Sequence, residues 1–148
     1  MSEFQQKCDI LSNERLATGV FRLTLQAPEI AAAALPGQFI MVKATAGYDP
    51  LLRRPFSIHQ CSTECATGND TDGTLTILYK VVGKGTDLLS KARIGERLDI
   101  LGPLGRGFQL PDQEEATCLI GGGMGIAPLL FLAQEIKKNN AQLADHHI

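Results

Sequence analysis

Thr74-Leu75-Thr76-Ile77-Leu78-Tyr79-Lys80-Val81-Val82 runs directly into Gly83-Lys84-Gly85-Thr86. The first nine residues alternate inward and outward positions and are rich in β-branched side chains, which is how a half-buried strand reads. The next four place glycines and a hydroxyl at the start of a short helical pattern. Working outward, further strand-like stretches lie near 4–13, 17–27, 38–44, 55–60 and 97–101. Pro36-Gly37, Gly47, Asp72-Gly73, Gly95 and Gly102-Pro103 read as turns between them. Short strands joined by turns, with few helices, predict a barrel or a sandwich.

Two short helical patterns interrupt the β region. Residues 28–35, PEIAAAAL, hold one turn. Thr86 reads as the N-cap of a helix over Asp87–Ala92, with Asp87 at its start, Lys91 and Arg93 at its end, and Gly95 stopping it. Residues 61–73 are polar and turn-rich and predict an exposed hairpin loop. Beyond residue 111 the pattern changes. Ala116–Ile120 reads as a short apolar strand, Gly121-Gly122-Gly123-Met124-Gly125 as a turn, and Ile126–Lys138 as a helix with Pro128 in its first turn. Ile126, Leu129, Leu130, Ala133 and Ile136 would share that helix's apolar side. Strand, glycine turn and helix in this order open a nucleotide-binding α/β domain.

The 148 residues suit one domain, or one and part of another. Apolar residues at 44% and charged residues at 20% fit a globular chain. A formal net charge of −2 gives no basic excess, so nucleic acid is not an expected partner. No run of eighteen apolar residues exists, so no membrane span is expected. The start, MSEFQQKCDI, lacks the pattern of a signal peptide, and a cytoplasmic setting is the expectation. The four cysteines are Cys8, Cys61, Cys65 and Cys118. Only Cys61 and Cys65 are close, and no metal-ligand spacing is present, so they read as reduced thiols.

Several clusters could carry chemistry. In Arg54-Pro55-Phe56-Ser57, Arg54 and Phe56 would share one strand face, with Pro55 and Ser57 on the other. The arginine could clamp a diphosphate, the phenylalanine could cover an aromatic ring, and Ser57 could reach a ring nitrogen. A surface arginine and a core phenylalanine remain the alternative. Gly83-Lys84-Gly85-Thr86 offers N–H groups to an anion at a helix start. It is not a Walker A loop, because Leu78 stands where the first glycine belongs. Gly102-Pro103-Leu104-Gly105-Arg106-Gly107 implies positive φ or close backbone contact, and Arg106 could meet a phosphate or simply face solvent. Gly123-x-Gly125-x-x-Pro128 departs from the dinucleotide fingerprint at its last glycine. Asp145 stands at the spacing of that fingerprint's acidic residue, but no strand precedes it. His59 has no evident partner, His146 and His147 are terminal, and Glu114 and Glu115 read as solvated.

Taken in order, these stretches resemble the ferredoxin–NADP reductase superfamily. Within it, LLRRPFSI, LTILYKVVGKGTDLLS, LDILGPLGRGF and IGGGMGIAPL are similar to the electron-transfer subunits of dihydroorotate dehydrogenase. The resemblance spans about residues 5–137. It implies a mainly β fold: an antiparallel Greek-key FAD-binding barrel over 1–111, followed over 112–148 by the first β–α unit of a Rossmann-like NAD-binding domain. It implies FAD contacts at Arg54, Pro55, Phe56, Ser57, Leu78, Tyr79, Lys80, Gly85 and Thr86, and a nicotinamide-dinucleotide loop at Gly121, Gly122, Gly123 and Gly125. It further implies electron flow from NADH through FAD and a [2Fe–2S] cluster to a dihydroorotate dehydrogenase catalytic subunit, in a heterotetramer serving pyrimidine biosynthesis. Ligands for that cluster are absent from these residues. The chain therefore reads as a C-terminally truncated form whose own competence as an enzyme is open. The other readings are a subunit of an NADH-dependent ferredoxin:NADP oxidoreductase or of a sulfide dehydrogenase, and a non-enzymatic barrel that binds a partner.

Overall fold

The computed structural model describes residues 3–45, 47–63, 73–111 and 117–144. Cys65, Glu114, Glu115, Asp145, His146, His147 and most of the 61–73 loop lie outside them. Six strands form a closed antiparallel barrel: β1 (Phe4–Ala17), β2 (Val20–Gln26), β3 (Phe39–Lys43), β4 (Arg54–Ser62), β5 (Thr74–Lys80) and β6 (Arg97–Leu104). Their order around the barrel is β1-β2-β5-β4-β3-β6, a Greek-key path closed by β6 on β1. In that order every strand is hydrogen-bonded to two neighbours, so none is a free edge strand.

Alternation builds the core. Leu23 and Leu25 of β2, Ile40 of β3, Ile58 of β4, Leu75 and Ile77 of β5 and Ile100 of β6 all have zero exposure. On the outer face Thr24 and Thr76, directly paired across β2 and β5, bring their hydroxyls to 3.2 Å. Helix α1 (Pro28–Ala33) covers one end of the barrel with Ile30 and Ala31. Gly73 meets it so closely that a Cβ there would lie 2.5 Å from the Pro28 Cα. Helix α2 (Lys84–Ser90) inserts Leu89 into the core. Asn13 of β1 ties it down, donating from Nδ2 to the Leu89 carbonyl at 2.9 Å and the Ala92 carbonyl at 3.0 Å.

Four local expectations need correction. β1 continues to Ala17 and turns at Thr18-Gly19, where Gly19 has φ +69°. The polar stretch before the turn stays in strand because it pairs with β2, Glu14 bonded to Arg22. Gly102-Pro103 is no turn but lies within β6. The glycine lets β3 approach, since a Cβ there would meet the Ile40 Cγ2 at 2.7 Å. The N-cap of α2 is Gly83, and Thr86 is its third residue. The threonine still satisfies the helix start, because its hydroxyl accepts from the N–H groups of Val82 and Gly83 at 2.9 and 3.2 Å and donates to the Gly83 carbonyl at 3.0 Å. Thr86→Ala is expected to cost about 1–2 kcal/mol, about 3–6 °C in Tm by calorimetry, and Thr86→Ser to retain most of it.

The fourth correction concerns the C-terminal segment. Residues 117–120 form no strand and are exposed, because no neighbouring strand is present among the described residues to satisfy a parallel ladder. A 3-10 turn at Gly123–Ile126 precedes α3 (Leu129–Ala144), which begins just after Pro128. α3 lies on β4, and its buried residues there are Phe131 and Leu132, together with Ala127 just before it. The expected apolar side is different, with Ile126 49% and Leu130 38% exposed. The helix docks on the barrel by the side that carries Phe131, four residues on from Ala127, so the Ile126–Leu130 side turns outward.

Burial also sets the alkaline limit of the fold. Desolvation pushes the Tyr79 hydroxyl and the Cys61 thiol up to about 12 and the Cys8 thiol up to about 11. Above about pH 9 the unfolded chain releases these protons while the folded chain keeps them, so stability falls as pH rises. The full contribution is present below that pH and is lost progressively towards pH 12. Tm followed by circular dichroism should be level from pH 7 to about 8.5 and fall above pH 9. A level Tm to pH 11 would mean that the fold does not hold these groups protonated.

Candidate functional site

β4 and β5 pair only from Ile58↔Ile77 to Ser62↔Thr74. Before Ile58, residues 54–57 pair with β3 alone, through Val42↔Arg54 to Phe39↔Ser57. After Ile77, residues 78–80 pair with β2 alone, Arg22↔Leu78 to Val20↔Lys80. The two strands therefore part at this end and leave a cleft between their edges. Backbone groups that an unbroken ladder would occupy face that cleft, ready for a ligand.

The cleft is a cavity of about 440 Å³, within the range of small-molecule sites, about 300–1,000 Å³. The structure brings into its lining all of Arg54, Pro55, Phe56, Ser57, Leu78, Tyr79, Lys80, Gly85 and Thr86. Pro55 and Ser57, expected on the face opposite Arg54, reach it too, because the opened strand edge itself is a wall. Gly121, Gly122, Gly123 and Gly125 do not line it, but their neighbours Met124 and Ala127 do. Arg106 is exposed in the loop after β6 and takes no part.

Aromatic packing stiffens the apolar part. Phe56 meets Tyr79 edge-on at 5.8 Å, and Tyr79 stacks on Phe21 at 5.5 Å. The buried Tyr79 hydroxyl donates to Asn13 Oδ1 at 3.0 Å. The ring is thus held by two aromatic neighbours and at its tip.

Two adjacent arginines part company. Arg53 donates from Nη2 to Asp99 Oδ2 at 2.7 Å and from Nη1 to the Asp99 carbonyl at 2.9 Å, which fastens β4 to β6. Arg54 donates only to the carbonyls of Leu52 and Arg53, at 3.0 and 3.3 Å, and has no acidic partner among the described residues. Its side chain lies against Gly85, where a Cβ would stand 3.5 Å from Arg54 Cγ. Beside it are the first-turn N–H groups of α2, which have no partner within the helix. Lys84 is paired with Asp49, tying the loop before β4 to α2. Positive charge without a counter-ion therefore gathers at the polar end of the cleft, with aromatic surface at the other.

The glycine turn has two kinds of glycine. Gly121 is needed for packing, since a Cβ would lie 2.6 Å from Leu129 Cδ1, and Gly123 has φ +55°. Gly122, Gly123 and Gly125 face open space, with nothing within 4 Å of a Cβ position. Their backbone is open to a ligand. Sequence reasoning missed Met124 and Ala127 as lining residues, and it missed a third residue beside them. His59, expected to lack a partner, places Nδ1 2.7 Å from the Ala127 carbonyl. A register shift between Ile58 and Gln60 puts it there, and no local pattern announces such a shift. Among the described residues no group of three His, Cys, Asp or Glu side chains is placed to hold a metal.

A family model described as an oxidoreductase FAD-binding domain matches residues 7–108. The chain is 42% identical over 134 residues to the dihydroorotate dehydrogenase B (NAD(+)), electron transfer subunit of Desulforamulus reducens, covering 90% of this chain and 48% of that protein. With the Geobacillus kaustophilus protein of the same name it shares 36% over 141 residues, covering 94% and 52%. The chain thus spans about half the length of the curated relatives it matches. Among solved structures, an NADH-dependent reduced ferredoxin-NADP oxidoreductase superposes with a TM-score of 0.75 at 28% identity, over 88% of this chain and 44% of that one. Phthalate dioxygenase reductase superposes with a TM-score of 0.65 at 23% identity, over 91% and 40%, a likeness of fold alone.

Proposed function

Because this chain belongs to the oxidoreductase FAD-binding domain family, we propose that the cleft between β4 and β5 takes FAD. On this reading residues 1–111 are the flavin barrel and 112–148 the opening of a nicotinamide-dinucleotide domain. The observation that carries it is the Arg54 guanidinium, without an acidic partner among the described residues, beside the first-turn N–H groups of α2, which have no partner within the helix. A diphosphate needs that combination of a planar cation and backbone donors. Arg54, Gly85 and Thr86 hold the diphosphate. Phe56 and Tyr79 offer aromatic surface to the isoalloxazine. Pro55, Ser57, Leu78 and Lys80 border it with strand edges, whose unpaired backbone groups can meet the ring's own donors and acceptors. Bound there, FAD supplies hydride acceptance from a nicotinamide and one-electron release to an acceptor. The open backbone of Gly122, Gly123 and Gly125, with Gly121 shaping the turn, would meet the dinucleotide.

The parent protein is read as an electron-transfer subunit, moving electrons from NADH to a dihydroorotate dehydrogenase catalytic subunit in cytoplasmic pyrimidine biosynthesis. The named relatives, at 36–42% identity, support this reading over the one that follows. The described residues offer no ligand set for an iron–sulfur cluster, and no step is assigned to one. A second reading, a subunit of an NADH-dependent reduced ferredoxin-NADP oxidoreductase, draws on the 0.75 TM-score. Capture of the catalytic partner by the tagged chain separates the two. The deciding test is the visible spectrum of the purified chain, before and after adding FAD. A yellow protein with saturable FAD uptake is expected. A colourless protein that takes up none would end the flavin reading.

A further inference from the structure

We propose that His59 is a positioning residue, pinning the glycine turn so that Met124 forms a wall of the flavin cleft. The proposal rests on the flavin reading for its consequence, though not for its geometry. His59 is the unpaired residue between Ile58↔Ile77 and Gln60↔Thr76, where the β4–β5 ladder shifts register. A bulge re-aims the side chain it carries. Here the half-buried imidazole reaches the Ala127 carbonyl at 2.7 Å. A carbonyl only accepts, so Nδ1 carries the hydrogen, whether the ring is neutral or charged.

Ala127 is the joint between two elements. It caps the Gly123–Ile126 turn, its N–H bonded to the Met124 carbonyl at 3.1 Å, and it stands two residues before α3. Fixing its carbonyl fixes the turn behind it and the helix ahead. Ala127 and Met124 are also the two residues of this segment that line the cleft beside the β4 and β5 edges. The bulge therefore stands where two features meet. It lies one residue from the last β4–β5 pair, Ile58↔Ile77, where the strands part, and it anchors the segment that covers the gap. A thioether over an aromatic ring is a favourable contact, and a fixed Met124 would keep water from one side of the flavin ring.

The test compares the full chain with His59→Ala, His59→Asn and His59→Gln. Asparagine places an N–H where Nδ1 was, whereas glutamine places its donor at the Nε2 position. Without added ligand, amide hydrogen exchange over 121–132 should quicken about tenfold or more in the Ala and Gln variants and return towards the parent rate in Asn. Equal exchange in all four chains overturns the pin. With FAD bound, loss of the resolved shoulders of the long-wavelength flavin band is expected in Ala and Gln and recovery in Asn, because those shoulders report a dry ring. If exchange changes but the band does not, His59 is structural only and its positioning role is overturned. If the parent chain takes up no FAD, the flavin reading falls, and the exchange arm still decides whether His59 holds the turn.

Discussion

Replacing Arg54 by alanine should weaken FAD binding by about 1.5–3 kcal/mol, about 10- to 150-fold in Kd, and leave Tm nearly unchanged. Replacing Arg53 should do the opposite. The two side chains leave adjacent residues and meet different fates. Arg53 closes a two-point contact with Asp99 on β6, so its loss strands a half-buried carboxylate. Arg54 spends its donors on two carbonyls of its own loop and lies against Gly85 with no acidic partner among the described residues. Its charge stabilises little in the fold and is available to a ligand anion. Titration of FAD into each variant, with calorimetric melting alongside, reads both effects. A Kd for Arg54→Ala within twofold of the parent would falsify the diphosphate role. An Arg53→Ala chain that melts normally but loses FAD would reverse the assignment.

Asn13→Ala should be the most damaging polar substitution, lowering stability by about 3–4 kcal/mol, about 10 °C in Tm. The amide makes three hydrogen bonds that no other group can replace. It accepts from the buried Tyr79 hydroxyl and donates to the last carbonyls around α2, at Leu89 and Ala92. Alanine would leave the Tyr79 hydroxyl and the Ala92 carbonyl without these partners, each costing about 1–3 kcal/mol less what water recovers, while the Leu89 carbonyl keeps the Ala92 N–H at 3.1 Å. Tyr79→Phe leaves a single acceptor, Asn13 Oδ1, without its donor and should cost about 1 kcal/mol. The ordering of these two melting temperatures is the check. If Asn13→Ala melts with or above Tyr79→Phe, the amide is not the tie between β1, β5 and α2. Because Tyr79 lines the cleft and α2 starts beside Arg54, Asn13→Ala should also weaken FAD binding from outside the site.

The six strands were legible because each alternates over at least four residues, with Ile or Leu inward. The glycines at 37, 85, 102 and 123 were legible as sites of close approach or positive φ. The barrel's cleft was not. Nothing in Arg54–Ser57 or Leu78–Lys80 says that these stretches fail to pair with each other. That depends on register, which is fixed by partners far away in sequence. His59 was invisible for the same reason, since a bulge is a property of two strands. The side by which α3 docks was misread because its periodicity offers two apolar sides. The barrel takes the one with Phe131. Thr86 was placed within three residues of its true position, since Gly83, which carries no side-chain oxygen, holds the cap and borrows that of Thr86.

The closing pair of the barrel sets an order of events for folding. Phe4 lies opposite Gly102 and Asp9 opposite Arg97, so the first strand finds one of its neighbours only in the last. β1 can meet β2 through a tight hairpin within microseconds, about 1–10. Its other edge must wait until the chain through Leu104 is made. During synthesis, at about 5–20 residues per second, that edge stays open for seconds while Cys8 and Ile10 lack their final cover. Contacts this distant in sequence predict folding in milliseconds to seconds rather than microseconds. An interruption of translation before β6 would release a chain with an unpaired strand edge, the form of this protein most exposed to aggregation.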